Sequence, residues 1–156
     1  MPENSGTEVW FYQLQRRRLE QVLPNLLERV RQRGWRAVLQ VATEERLAAL
    51  DDVLWTYADD SFLPHGAAKD GDAELQPVWL TLGPDNPNGA QTRFLLEGVE
   101  AATFLNQGYE RLIVLFDGRD ETALDGARGQ WKALRPLNAS LSYWAETEEG
   151  GWRKQG

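Results

Sequence analysis

The sequence contains no cysteine and a single histidine, His65. The first absence excludes a disulfide framework, thiolate zinc sites, iron–sulfur clusters and cysteine nucleophiles, and the second leaves no histidine-rich metal site. Glycine is missing where a nucleotide enzyme would need it. After the first strand-forming run the chain reads Gln13-Leu14-Gln15-Arg16-Arg17-Arg18-Leu19, and neither common phosphate-loop spacing occurs elsewhere, which weighs against nucleotide hydrolysis and hydride transfer. Long apolar runs are absent too, so neither a membrane span nor a secretory leader is expected, and a cytoplasmic protein without metal or cofactor is. Positive charge is scarce: 17 Lys and Arg stand against 24 Asp and Glu, a net of −7. Neutralising phosphates needs a net basic face, so this balance argues against duplex nucleic acid as the main partner.

What is present alternates. Val9–Tyr12 is a short aromatic strand-forming run, and Leu19, Val22, Leu23, Leu26, Leu27 and Val30 then fall on one stripe of a helix. Pro24 conflicts with that helix unless it starts late or kinks in its first turn. Gly34 suits a left-handed C-terminal cap. Trp35–Val41 returns to strand character, and Thr43 caps a second helix with Leu47, Leu50, Val53 and Leu54 on its inner face. Residues 56–77 show no sustained period and form a long loop. Strands are expected at 78–82 and 92–96, joined near Asn88-Gly89 as an edge pair. Residues 101–109 form a short helix, and Arg111–Phe116 is the central strand, covered on both faces. Asp117-Gly118-Arg119-Asp120 ends that strand and caps a helix over 121–135 that Pro136 ends, and Ser140–Trp144 is the last strand. The expected architecture is a single α/β domain over residues 1–146, three layers around a mostly parallel central sheet resembling nucleotide-binding folds, with 147–156 a flexible polar tail.

Most catalytic and metal chemistries fail on spacing. Ser61, His65 and Asp59 or Asp60 lie too close together for a triad and lack a nucleophile elbow, so His65 reads as a structural residue of its loop. Asp51-Asp52, Asp59-Asp60 and Asp85–Gly89 lack the ligand spacing of a calcium loop and read as caps and turns.

Two surfaces remain. Charge is uneven: residues 16–36 hold seven Arg against two Glu, a local +5 that reads as a solvated helix face, and Arg128, Lys132 and Arg135 are the charged residues of 126–136. Arg128, Trp131, Lys132 and Arg135 fall at i, i+3, i+4 and i+7, so one helix face presents three cations and an indole. Such a face takes an anionic, partly apolar ligand, for example an acidic peptide ending in a hydrophobic residue and its carboxylate. Alternatively, Trp131 belongs to the core and the cations only complement the helix dipole, or the face stacks single-stranded nucleic acid. The second surface is Leu54–His65, where Trp55, Tyr57, Phe62 and Pro64 either anchor an interface or close the core.

Three blocks carry a family resemblance: Phe11-Tyr12-Gln13-Leu14, then Leu54-Trp55 through Ser61-Phe62-Leu63-Pro64-His65, then Ala127-Arg128 through Trp131-Lys132-Ala133. In this order, over residues 8–144, the chain resembles the chi subunit of bacterial DNA polymerase III. The resemblance implies a non-catalytic clamp-loader accessory subunit of the replisome. It would link the holoenzyme to single-stranded DNA-binding protein by holding that protein's acidic C-terminal tail at Arg128, Trp131 and Lys132, with Arg135 nearby. It further implies that Trp55, Phe62 and Pro64 receive the psi subunit, where one exists, or a helicase competing for the same surface. Trp131 stands where many members have Tyr. The competing class is an α/β enzyme acting on a nucleotide or phosphorylated metabolite.

Overall fold

The computed structural model describes residues 7–56, 65–67, 70–137 and 139–156, and the side chains of Trp55 and Thr56 lie outside that description. Eight strands form one sheet in the order β3-β4-β2-β5-β6-β1-β7-β8. These are β1 (Glu8–Leu14), β2 (Ala37–Gln40), β3 (Gly66–Ala67), β4 (Val78–Thr81), β5 (Thr92–Leu95), β6 (Arg111–Asp117), β7 (Ser140–Glu146) and β8 (Trp152–Lys154), with helices α1 (Leu19–Gln32), α2 (Glu44–Thr56) and α3 (Glu121–Leu134). Every described pairing is parallel except β7 with β8.

Strand alternation divides the core into two faces. Tyr12, Leu14, Leu39, Phe94, Ile113 and Leu115 point toward α1 and α2, where they meet Leu23, Leu27, Leu50 and Leu54. Val9, Phe11, Leu95, Leu112 and Val114 point the other way, against Ala127 and Leu134 of α3 and the turn carrying Phe104. The expected three-layer α/β domain is what forms. The local signals hold as well: Thr43 Oγ1 accepts the Arg46 N–H at 3.1 Å, Asp120 Oδ1 accepts those of Thr122 and Ala123 at 3.0 and 3.3 Å, and Gly34 adopts φ +80°.

Four expectations change. Helix α1 neither starts late nor waits for Pro24; it begins at Leu19 and carries a buried Pro24 inside. The backbone bond that proline cannot donate is lost in the second turn, while its ring adds apolar area to the core. The long loop of 56–77 contains β3, which pairs with β4 at the sheet's far edge. Strands β4 and β5 are not an edge pair across Asn88-Gly89, because both run parallel to β2 and lie on either side of it. Finally, part of the supposed polar tail is β8, and the antiparallel edge pair of this sheet is β7 with β8.

A buried arginine explains why 83–91 crosses over instead of turning back. Arg93 on β5 is fully buried. Its guanidinium donates to Gln40 Oε1, to the carbonyls of Gly83 and Asp85, and to the Tyr109 hydroxyl, and it stacks over Phe104 with 4.4 Å to the ring centroid. One side chain thereby satisfies the acceptors exposed as the chain leaves β4, and Asp85 turns inward to accept from Trp79 Nε1 at 3.0 Å. The acidic turn is thus a structural device, and among the described residues no group of three potential ligands is placed to hold a metal ion. None of the described helices is long and apolar enough to cross a membrane.

Replacing Arg93 by Leu strands four acceptors, most of them partly buried, and leaves an apolar side chain where the guanidinium lay. The variant should lose on the order of 3 kcal/mol of stability, read as a lower urea midpoint at unchanged slope.

Candidate functional site

The chain reverses winding direction around β1. From β1 it passes through α1 to β2 on one face, and from β6 it passes through α3 to β7 on the other, so β1 lies between β6 and β7. Ligands of open α/β sheets collect outside the carboxyl ends of strands at such a point. Here the turn that follows β1 is already occupied. The backbone N–H groups of Gln15, Arg16 and Arg17 converge on Glu146 Oε1 at 3.0, 2.8 and 3.1 Å, and Arg17 Nε bonds the other oxygen. Successive N–H groups of this kind make an anion cradle. The anion is the last residue of β7.

Burial alone would raise the Glu146 pKa. The Arg17 hydrogen bond and the three amides more than reverse that effect and bring it down to about 2. Arg17 also donates to the Gly150 carbonyl at 2.7 Å, and Arg119 donates to the carbonyls of Arg16 and Arg17. Both ends of the β1–α1 turn are therefore tied down.

Beside this cradle, beyond α3, lies a groove of about 750 Å³. Its floor is the α3-facing side of β1 and β7, with Gln13, Tyr143 and Ala145; one wall is Arg128, Trp131 and Lys132 of α3, and the other is Arg153 of β8 with Gln155 just after it. Glu148 and Glu149 on the β7–β8 turn line one end. Trp131 serves two purposes at once. It packs edge-on against Phe11 and Tyr143, with centroids at 5.4 and 5.6 Å, and its remaining surface faces the groove. A methyl group on Gly156 would sit 3.5 Å from Trp131 Cζ2, so the end of the β8 segment leans on the same ring.

Tyr143 holds the floor. Its hydroxyl donates to Gln13 Oε1, and a methyl group on Gly118 would strike the Gln13 side chain at 2.4 Å, so the floor depends on a glycine at the end of β6. Burial pushes the Tyr143 hydroxyl pKa up, with the Arg128 charge partly offsetting it, so Tyr143 is a neutral donor near neutral pH. Arg128, Lys132 and Arg153 make no ion pair among the described residues, and all three are exposed.

Of the four residues predicted on the last helix, three line the groove, and Arg135 does not. It is the exposed C-cap of α3, a turn below. Sequence reasoning missed Tyr143, Gln13, Arg153 and the Glu146 cradle. The alternation of Leu141, Tyr143 and Ala145 could have placed Tyr143, and Gly150-Gly151 before Trp152 could have signalled the hairpin. Trp55 belongs to α2, with its side chain outside the described residues, and Phe62 and Pro64 lie outside them altogether. Asp59, Asp60 and Ser61 are outside as well, whereas His65 is described. Its Nε2 stands 3.0 Å from Asp51 Oδ1 of α2, both side chains buried.

A second cavity, about 700 Å³ at the carboxyl ends of β1, β5 and β6, is lined by Arg18, Arg46 and Arg119. Of its three arginines, Arg46 pairs with Glu20 at 3.2 Å and Glu97 at 3.8 Å and Arg119 with Asp117 at 2.8 Å, while Arg18 is exposed at its rim.

The depressed Glu146 pKa fixes the sign of a pH effect. The stability it contributes is fully present above the ordinary value of 4.5 and is lost as pH falls toward about 2. Glu146→Gln should cost on the order of 2 kcal/mol at pH 7 and flatten the acid limb of stability between those values, both measured by urea titration across pH.

Residues 7–142 match the family model described as "DNA polymerase III chi subunit, HolC". A curated relative, "Probable DNA polymerase III subunit chi" of Rickettsia prowazekii (strain Madrid E), is 26% identical over 97 residues, an alignment covering 59% of each chain. With the model spanning nearly all of the sheet and α3, the chain belongs to the DNA polymerase III chi subunit family.

Proposed function

We propose that this protein is a non-catalytic accessory subunit of the bacterial DNA polymerase III holoenzyme, and that its groove beside α3 holds the acidic C-terminal tail of single-stranded DNA-binding protein. The observation that carries the reading is the juxtaposition on one groove of unpaired Arg128 and Lys132 with the half-buried face of Trp131. An indole wall held by Phe11 and Tyr143 gives a hydrophobic terminal residue flat area that needs no rearrangement. The neighbouring guanidinium gives its carboxylate planar contact, and the ammonium adds a mobile charge for the acidic side chains that precede it. Arg135, off the groove, has no direct part in this recognition.

The competing class, an enzyme acting on a nucleotide or phosphorylated metabolite, gains no support. The cradle that such folds offer to phosphate is filled by Glu146, and two of the neighbouring cavity's three arginines are paired. In the same proposal the Trp55, Phe62 and Pro64 block receives a psi subunit or a helicase, a reading supported by the family.

Calorimetry with a synthetic acidic peptide ending in Phe should show binding that weakens as salt rises. Arg128→Ala and Trp131→Ala should each weaken it about tenfold, Arg135→Ala hardly at all, and amidation of the peptide terminus should mimic Arg128→Ala. Equal affinity of the parent and the Arg128 and Trp131 variants would remove the groove from this role.

A further inference from the structure

The groove has a second charged wall. Arg153 pairs with Ala145 in the β7–β8 register, so its side chain rises from the same sheet face as Tyr143 and lines the groove across from Arg128 and Lys132. It is exposed and makes no ion pair among the described residues, even though Glu148 and Glu149 share the groove. Strand β8 itself is well anchored. Trp152 packs edge-on on Tyr12 at 4.8 Å, the Gln155 N–H donates to the Tyr143 carbonyl, and Arg17 holds the Gly150 carbonyl at the turn. The cation therefore stands on a fixed strand and not on a loose tail.

We infer that Arg153 is a specificity-determining residue of the groove, contacting an acidic side chain upstream of the terminal carboxylate of the bound peptide. Successive side chains of an extended peptide point to opposite sides. With the terminal hydrophobic residue and carboxylate on the α3 wall, the intervening acidic positions face β8, where Arg153 is the cation within the groove. The wall then selects for acidic character along the tail, whereas the α3 wall selects for its end. This inference rests on the tail-binding reading of the groove.

The test is a double-mutant cycle by calorimetry at low salt. The full-length protein and its Arg153→Ala, Arg153→Lys, Arg128→Ala and Trp131→Ala variants are titrated with an acidic peptide ending in Phe and with the same peptide carrying Ala in place of its upstream acids. Arg153→Ala should weaken binding of the acidic peptide about three- to tenfold and leave the Ala-substituted peptide unchanged, with Arg153→Lys retaining most of the affinity. Because Arg153 is exposed, the melting temperature of its variants should match the parent, which separates lost contact from lost fold. If Arg128→Ala and Trp131→Ala weaken binding while Arg153→Ala does not, or weakens both peptides equally, the second wall is refuted and the tail site stands. If none of the variants changes affinity, the tail site fails and the inference with it.

Discussion

The carboxylate of Glu146 in the amide cradle after β1 is the contact on which this end of the molecule depends. A turn leading from a strand into a helix exposes backbone N–H groups, and their dipoles together favour an anion. In phosphate-binding relatives of this architecture a glycine-rich loop leaves that position open to a ligand. Here three arginines follow the strand, the loop has no glycine, and the anion comes from β7. Satisfying the cradle internally removes a phosphate site and fixes the carboxyl end of β7 against β1. Arg17 extends the same network to Gly150, so β8 is held as well. The β1–β7 and β7–β8 pairings lay down the groove floor and its outer wall, and the cradle locks their carboxyl end in place.

Much of the frame was legible because it is written in local pattern. The helical stripe of Leu19 to Val30, the Asp120 and Thr43 caps, and the unbroken apolar run of Arg111 to Phe116 each commit a segment irrespective of its surroundings. The errors fall where a distant residue overrides local chemistry. The turn chemistry of Asp85 to Gly89 suggests a hairpin, yet Arg93 collects the acceptors of Gly83 and Asp85 and sends the chain across β2 instead. Strand β8 looks polar because its apolar content is Trp152 alone, and it becomes a strand through β7 and through contact with Tyr12.

The candidate site divides the same way. Arg128, Trp131 and Lys132 are visible because helical spacing puts them on one face. Nothing in that spacing could say which of the four lies over the sheet's open edge and which lies past it, and Arg135 falls past it. Trp131 looked like a choice between core and ligand wall because a sequence cannot express partial burial. The ring is wide enough to do both, one edge on Phe11 and Tyr143 and the rest on the groove. That double role also makes it a suitable wall: a side chain already immobilised by the core loses little entropy on binding.

The acidic balance of the chain then bears on mechanism more than on pathway. At a net charge of −7 the body of the protein repels a phosphate backbone at long range, and the screening length in physiological salt is about 8 Å. An acidic tail is subject to the same repulsion from the body, so it binds only where cations are free and close. Four arginines of this chain are held in ion pairs: Arg17 with Glu146, Arg46 with Glu20 and Glu97, Arg111 with Glu8, Arg119 with Asp117. Arg128, Lys132 and Arg153 are uncommitted and share one groove with a fixed aromatic floor. Under the proposed reading, pairing elsewhere withdraws these four cations from competition for the tail, and the groove is where uncommitted cations meet a fixed aromatic face.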